Sequence, residues 1–258
     1  MPGTVTMRIW RGDASGGDFQ EYDVVAQEGE VVLDVLLRLQ ATQANDLAVR
    51  WNCKAGKCGS CSAEVNGLPR LTCMTRMNTF EPGEAITVAP MRTFPLIRDL
   101  VTDVSFNYEM AKQVPPFRPG PKEPDGTYRM RQEDIDRVQE FHKCIECFLC
   151  QNVCHVLRDH EENRTAFAGP RMFIRYAALE MHPLDTNDRR DLLDARAGLG
   201  MCNITKCCTE VCPVDIHITD NAIIPLKERV VDARYDPVMW LGRKLRRRKS
   251  PAPPDLTE

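Results

Sequence analysis

The chain of 258 residues is long enough for two domains of ordinary size. Its formal net charge of -3 excludes a chain-wide basic surface for nucleic acid, and no run of about eighteen apolar residues exists to cross a membrane. Twelve cysteines behind a short polar start, with no apolar signal region in residues 1–8, point to metal binding in a reducing compartment rather than to disulfides.

Residues 4–10 alternate as a strand, and residues 18–26 read as its hairpin partner across Gly16 and Gly17. Residues 30–40 place Val32, Leu33, Leu36, Leu37 and Leu39 on one helical face. Strand, strand, helix and then short strands suggest a small β-grasp domain. Its last strand is expected at residues 85–89, fenced by Pro82, Gly83 and Pro90.

Between helix and last strand lie Cys53, Cys58 and Cys61, followed by Cys73. C-x4-C-x2-C with a remote fourth cysteine is the plant-type spacing for a [2Fe–2S] cluster. Three thiolates must come from one tight loop, and the fourth clamps the cluster from a neighbouring strand. Ala55, Gly56 and Gly59 are small enough for backbone N–H groups to approach the sulfurs. A zinc site would favour paired C-x2-C motifs instead.

Pro115, Pro116, Pro119, Pro121 and Pro124 make an extended linker or strap. The domain boundary is placed just before it, near Asn107. The expected division is 1–106, a [2Fe–2S] ferredoxin-like domain; 107–240, an α-helical domain; and 241–258, a basic tail containing proline. Helices are expected over 132–142, over 171–181 with Pro170 in the first turn, over 188–197, and over 220–231 with an interruption or bend at Pro225. The tail carries Arg243, Lys244, Arg246, Arg247, Arg248 and Lys249. It reads either as a solvated tail or as a contact with anionic lipid or an acidic partner; without interleaved aromatics it is a poor nucleic-acid arm.

The helical half holds two further cysteine runs. Cys144, Cys147, Cys150 and Cys154 have the spacing C-x2-C-x2-C-x3-C, in which the fourth cysteine serves the other cluster. Cys202, Cys208 and Cys212, followed by Pro213, fit the same ruler with Thr205 in the second slot. Cys144, Cys147, Cys150 and Cys212 are thus the ligand set of a [4Fe–4S] cluster. Cys154, Cys202 and Cys208 form a set of three, and a cubane short of one cysteine tends to lack the iron that cysteine would hold. A [3Fe–4S] cluster is expected there, at a higher potential because fewer thiolates surround it. Thr205 offers no soft ligand. Cys207 is left over; it sits next to ligand Cys208 and reads as a buried or half-buried thiol.

The fold class is therefore α+β: a β-grasp [2Fe–2S] ferredoxin-like domain followed by an α-helical ferredoxin domain. Nothing resembles an organic catalytic site: there is no Gly-rich phosphate loop and no serine–histidine constellation. His142 and His155 stand beside the ligand runs, where a histidine is more often a hydrogen-bonding residue than a ligand. Three clusters in one chain make a wire, so electrons enter from one partner and leave to another.

On these motifs the chain resembles the iron–sulfur subunit of succinate dehydrogenase and fumarate reductase over roughly residues 5–235. The resemblance rests on Arg50-Trp51-Asn52-Cys53-Lys54-Ala55-Gly56-Lys57-Cys58-Gly59-Ser60-Cys61, on Asn66-Gly67, and on Pro95-Leu96-Ile97-Arg98-Asp99-Leu100-Val101. It continues through residues 144–154, Gly169-Pro170 and residues 202–213. It implies a bacterial chain, peripheral on the cytoplasmic face of the cell membrane, with no transmembrane segment of its own and no nucleic-acid partner. It also implies a separate flavoprotein carrying FAD and oxidising succinate, and one or more membrane-anchor subunits that share a quinone site near the three-iron cluster. The same wire would serve fumarate reduction. A soluble multi-cluster carrier is the alternative of a different class, and the helical domain and basic tail speak against it. A heterodisulfide-reductase-like subunit would carry two complete cubane motifs, which Thr205 disfavours. The chain departs from the family after Cys154, where the usual proline and nearby tryptophan are replaced by His155-Val156-Leu157-Arg158, and after Cys202, where histidine is replaced by Asn203. His155 and Asn203 are the candidate replacements near the quinone.

Overall fold

The structure is a computed structural model that describes residues 3–237, so the basic tail lies outside the described residues. β1 (Gly3–Asp13) and β2 (Gly16–Ala26) pair antiparallel over their full length. Side chains alternate across β1: Met7 and Ile9 are fully buried while Arg8 between them is exposed. α1 (Val32–Thr42) crosses the inner face of the sheet and buries Val32, Leu33, Val35, Leu36 and Leu39. Each contributes about 1.5–3 kcal/mol by leaving water. Asp34 accepts a hydrogen bond from the Val31 N–H at 3.2 Å and satisfies an otherwise orphaned donor at the helix start.

β3 (Ser62–Val65), β4 (Leu68–Leu71) and β5 (Ile86–Ala89) complete the β-grasp, with β5 parallel to β1. β5 is not the last strand. β6 (Leu96–Arg98) and β7 (Val101–Thr102) form a further hairpin, and β6 meets β1 at Asp13. These strands are too short for alternation to register in the sequence. A buried carboxylate holds the hairpin instead: Asp99, in a left-handed turn with φ 47°, accepts from Gly12 N, Ala48 N and Arg11 Nε at 3.0, 2.8 and 3.1 Å.

α2 (Ser105–Lys112) turns away from the sheet, and Phe106, Met110 and Ala111 pack on the core of the helical half. The proline-rich stretch then lies across residues 184–189 as a strap. Gly120 N donates to Leu184 O at 2.9 Å, and Asn187 Nδ2 donates to Pro116 O at 2.8 Å. Arg189, fully buried, donates to Pro115 O and Pro116 O and pairs with Asp185 at 2.8 Å.

The helical half comprises α3 (Gln132–Gln139), α4 (Leu149–Val153), α5 (His155–Arg158), α6 (Pro170–Glu180), α7 (Arg190–Ala195), α8 (Cys207–Glu210) and α9 (Ile224–Tyr235). Phe167, Phe173, Ile174, Leu193, Ile218, Ile223 and Leu226 are among its core. Pro225 does not break the last helix. A wide π-helical turn over Ile218–Ile223 precedes it, and the proline falls in the first turn of α9, where an N–H is dispensable.

The two halves meet on a buried polar seam. Asn152 of α4 donates to Glu64 Oε1 at 2.9 Å, and its own side-chain and backbone oxygens accept from Thr93 N and Thr93 Oγ1 at 3.1 and 3.0 Å. Arg92 closes on the same Glu64 carboxylate, and Arg164 reaches the Thr93 carbonyl.

Candidate metal centres

Cys53, Cys58 and Cys61 lie on one irregular loop, and Cys73 follows β4. Thr72 binds the Cys61 carbonyl through its N–H and its hydroxyl, at 3.1 and 3.0 Å, which brings Cys73 beside Cys61. Lys54, Gly56 and Gly59 take left-handed conformations, with φ of 55°, 64° and 69°, and curl the loop. The amides of Ala55 and Lys57 consequently face Cys53 Sγ at 3.4 and 3.3 Å, and Cys53 N faces Cys58 Sγ at 3.5 Å. Burial pushes the Cys58 thiol up, but hydrogen bonds from the Cys53 N–H and from Ser60 outweigh it and bring it down to about 6. Burial drives Cys73 up to about 12. Cys53 is exposed beside the exposed Trp51 and Met74, so this centre opens to the surface.

The two later runs fold alike. Cys144 and Cys202 are extended, with φ, ψ of -63°, 121° and -71°, 122°. Two residues on, Glu146 and Ile204 are left-handed at φ 56° and 62°, and four residues on, Phe148 and Lys206 are left-handed at 60° and 64°. Each of the latter caps a short helix, α4 or α8. This repeated backbone sets Thr205 opposite Cys147 and Cys208 opposite Cys150.

Two small cavities follow from the repeat. One is lined by Cys144, Cys147, Cys150 and Cys212 with Ile174, Ile218 and Arg171. The other is lined by Cys154, Cys202 and Cys208 with Thr205, Cys207, His155 and Asn203. The fourth cysteine of each run thus faces the cavity of the other. Among the described residues no three or more His, Cys, Asp or Glu side chains close on a single-ion site; the cysteines stand around spaces. Burial raises Cys144, carries Cys147 and Cys154 up to about 12 and Cys208 to about 11, and lifts Cys150 well above the usual thiol range. Binding iron therefore means displacing protons from buried thiols. Linings rich in soft sulfur donors, without a carboxylate, fit iron–sulfur groups.

The centres stand in series. A Cβ on Gly59 would lie 2.6 Å from Cys147 Cα, so the first cysteine loop touches the second directly. Cys150 of α4 lines one cavity, and Cys154, just after α4, lines the other. Three histidines bond to neighbours: His217 Nδ1 lies 2.7 Å from Glu140, His160 lies 3.2 Å from Glu162, and His182 accepts from Leu184 N. His155 and Asn203 are brought together, with Asn203 Nδ2 donating to His155 Nε2 at 2.7 Å on the rim of the second cavity. Cys207 is half-buried, its sulfur 3.3 Å from Thr205 Oγ1. Sequence reasoning missed Arg171: a charge among the apolar residues of the first turn of α6 was the only local signal, and its burial is seen only in the fold.

A family model described as a 2Fe-2S iron-sulfur cluster binding domain matches residues 6–109, and one described as a 4Fe-4S dicluster domain matches residues 140–216. The chain is 35% identical to the fumarate reductase iron-sulfur subunit of Mycobacterium tuberculosis over 205 residues, 77% of this chain and 81% of that protein. It is 30% identical to the fumarate reductase iron-sulfur subunit of Wolinella succinogenes, over 88% of this chain and 97% of that protein. A chain of the Mycobacterium smegmatis Sdh1 complex in the apo form is 65% identical and superposes with a TM-score of 0.88, covering 92% of this chain and 100% of that one. With its two cluster-binding domains in this order, the chain belongs to the family of iron–sulfur subunits of succinate dehydrogenase and fumarate reductase.

Proposed function

We propose that the chain is the electron-transfer subunit of a membrane-bound succinate dehydrogenase. It would take electrons from the FAD of a flavoprotein subunit and deliver them to quinone at a membrane-anchor subunit. The observation that carries this reading is the serial placement of three cysteine sets, joined where Gly59 abuts Cys147. When bound, a [2Fe–2S], a [4Fe–4S] and a [3Fe–4S] cluster supply one-electron redox chemistry. Cys53, Cys58, Cys61 and Cys73 would hold the first, Cys144, Cys147, Cys150 and Cys212 the second, and Cys154, Cys202 and Cys208 the third.

The rest of the work falls to the chain's own groups. The loop amides that face Cys53 and Cys58 favour added negative charge at the entry. Exposed Trp51 and Met74 suit that end to a protein partner. At the other end Met201 and Ile204 are exposed beside the second cavity, and the His155–Asn203 pair stands where a quinone carbonyl would need a donor. No described helix is long and apolar enough to cross a membrane; the chain would sit on the anchor as a peripheral subunit at the cytoplasmic face. Fumarate reduction by the same wire is favoured by the names of two relatives; direction depends on the flavin and the quinone.

The test is purification from membranes with succinate-driven quinone reduction. A complex containing a flavoprotein and an anchor, active with succinate, is expected; a single chain in the soluble fraction would overturn the reading. Within an active complex, His155→Ala and Asn203→Ala should slow quinone reduction while leaving succinate-driven reduction of the clusters intact. Unchanged quinone kinetics in both would remove the pair from the quinone site.

A further inference from the structure

Arg171 is the second residue of α6 and is only 7% exposed. Its Nη2 pairs with Glu146 on the loop between Cys144 and Cys147. Its Nε is buried and has no hydrogen-bond partner in the protein. A buried guanidinium N–H left unmatched carries its full desolvation cost. The same side chain lines the cavity formed by Cys144, Cys147, Cys150 and Cys212. An unpaired donor, held in a cavity of sulfurs, points to sulfur as its acceptor.

We propose that Arg171 tunes the potential of the [4Fe–4S] group, donating from Nε to one of its sulfurs and setting a buried positive charge against it. The inference rests on the reading of this cavity as a cubane site. A thiolate-held cluster is anionic and gains a further negative charge on reduction, so a nearby buried cation and a hydrogen bond to sulfur both favour the reduced form. The second cavity has no equivalent. Lys206 on its lining is half exposed and pairs with Asp220 at 2.8 Å, so its field is screened. Arg171 thereby raises the potential at the middle of the wire. It acts on the cluster as a tuning residue and is no ligand.

The test is a redox titration of the intact complex, followed by EPR of the reduced cubane. Arg171→Gln should lower the midpoint enough to change the reduced-to-oxidised ratio at fixed potential by about tenfold, which is about 59 mV for one electron. The [2Fe–2S] midpoint should stay in place. Glu146→Gln removes the neutralising carboxylate and leaves Nε where it is, so the cubane midpoint should rise. A purely structural Arg171 would change iron content without moving the potential. An unmoved cubane midpoint in cluster-replete Arg171→Gln overturns the proposal. Should that variant lose the cluster, an unmoved or lowered midpoint in Glu146→Gln overturns it. Absence of any cubane signal in the unsubstituted complex would instead end the reading of the cavity.

Discussion

Ser62 Oγ lies 2.8 Å from the carbonyl oxygen of Cys147 and 2.9 Å from that of Gly59, so one hydroxyl ties the loop of the first centre to the loop of the second. The contact is buried and joins residues 85 apart in sequence. It places the two cysteine loops backbone to backbone and makes the distance between centres a property of packing rather than of a flexible tether.

Gly59→Ala should therefore damage both centres. Its left-handed φ of 69° strains any other residue by about 1–3 kcal/mol, and the new methyl group would strike Cys147 Cα at 2.6 Å. Iron content per chain and thermal unfolding should both fall. Ser62→Ala, which only leaves a buried carbonyl without its donor, should cost about 1–3 kcal/mol and keep its iron.

Thr205→Cys should convert the second cavity to a four-thiolate site. The matching left-handed residues on either side of Cys147 and Thr205 put the new thiol where the repeat needs it. EPR of the oxidised protein should lose any three-iron signal, and the reduced protein should gain a second cubane signal.

Arg189→Met should destabilise the fold by about 3–5 kcal/mol. The substitution strands Asp185, whose side chain is 1% exposed, and releases the Pro115 and Pro116 carbonyls of the strap. Thermal unfolding should show the loss, and limited proteolysis should cut first within residues 115–124.

Glu140 gives the fold an acid-sensitive staple. Burial would raise its carboxyl, but hydrogen bonds from Asn221 and His217 outweigh burial and hold it below its ordinary value of 4.5. A carboxylate lowered on folding adds stability above its unfolded pKa and loses it as pH falls through the folded one. Denaturant unfolding of wild type and Glu140→Gln should differ most near neutral pH, and the gap should close as pH drops below 4.5.

The legible part of this chain was whatever short-range spacing dictates. The cysteine rulers predicted which thiols share a cavity, including the exchange of Cys154 and Cys212, because each loop must curl at fixed offsets to aim its sulfurs inward. Alternation in β1 and the helical stripe of α1 were likewise local. The hairpin β6–β7 escaped because three- and two-residue strands carry no period, and what holds it is the long-range bonding of Asp99. Asn152 and Glu64 meet across 88 residues, and His155 and Asn203 across 48. No local pattern encodes such pairings. Arg171 escaped for another reason: a charge near a helix start ordinarily reads as solvated, and only the fold shows that it is sealed in beside sulfur.

An electron wire with an incomplete cubane site at one end has a distinctive spectrum, which EPR of the oxidised complex, followed by stepwise reduction, would read. A three-iron signal in the oxidised protein, then separate [2Fe–2S] and [4Fe–4S] signals on reduction, is the predicted result. An oxidised spectrum with no three-iron signal would contradict it, as would a protein that binds zinc in place of iron.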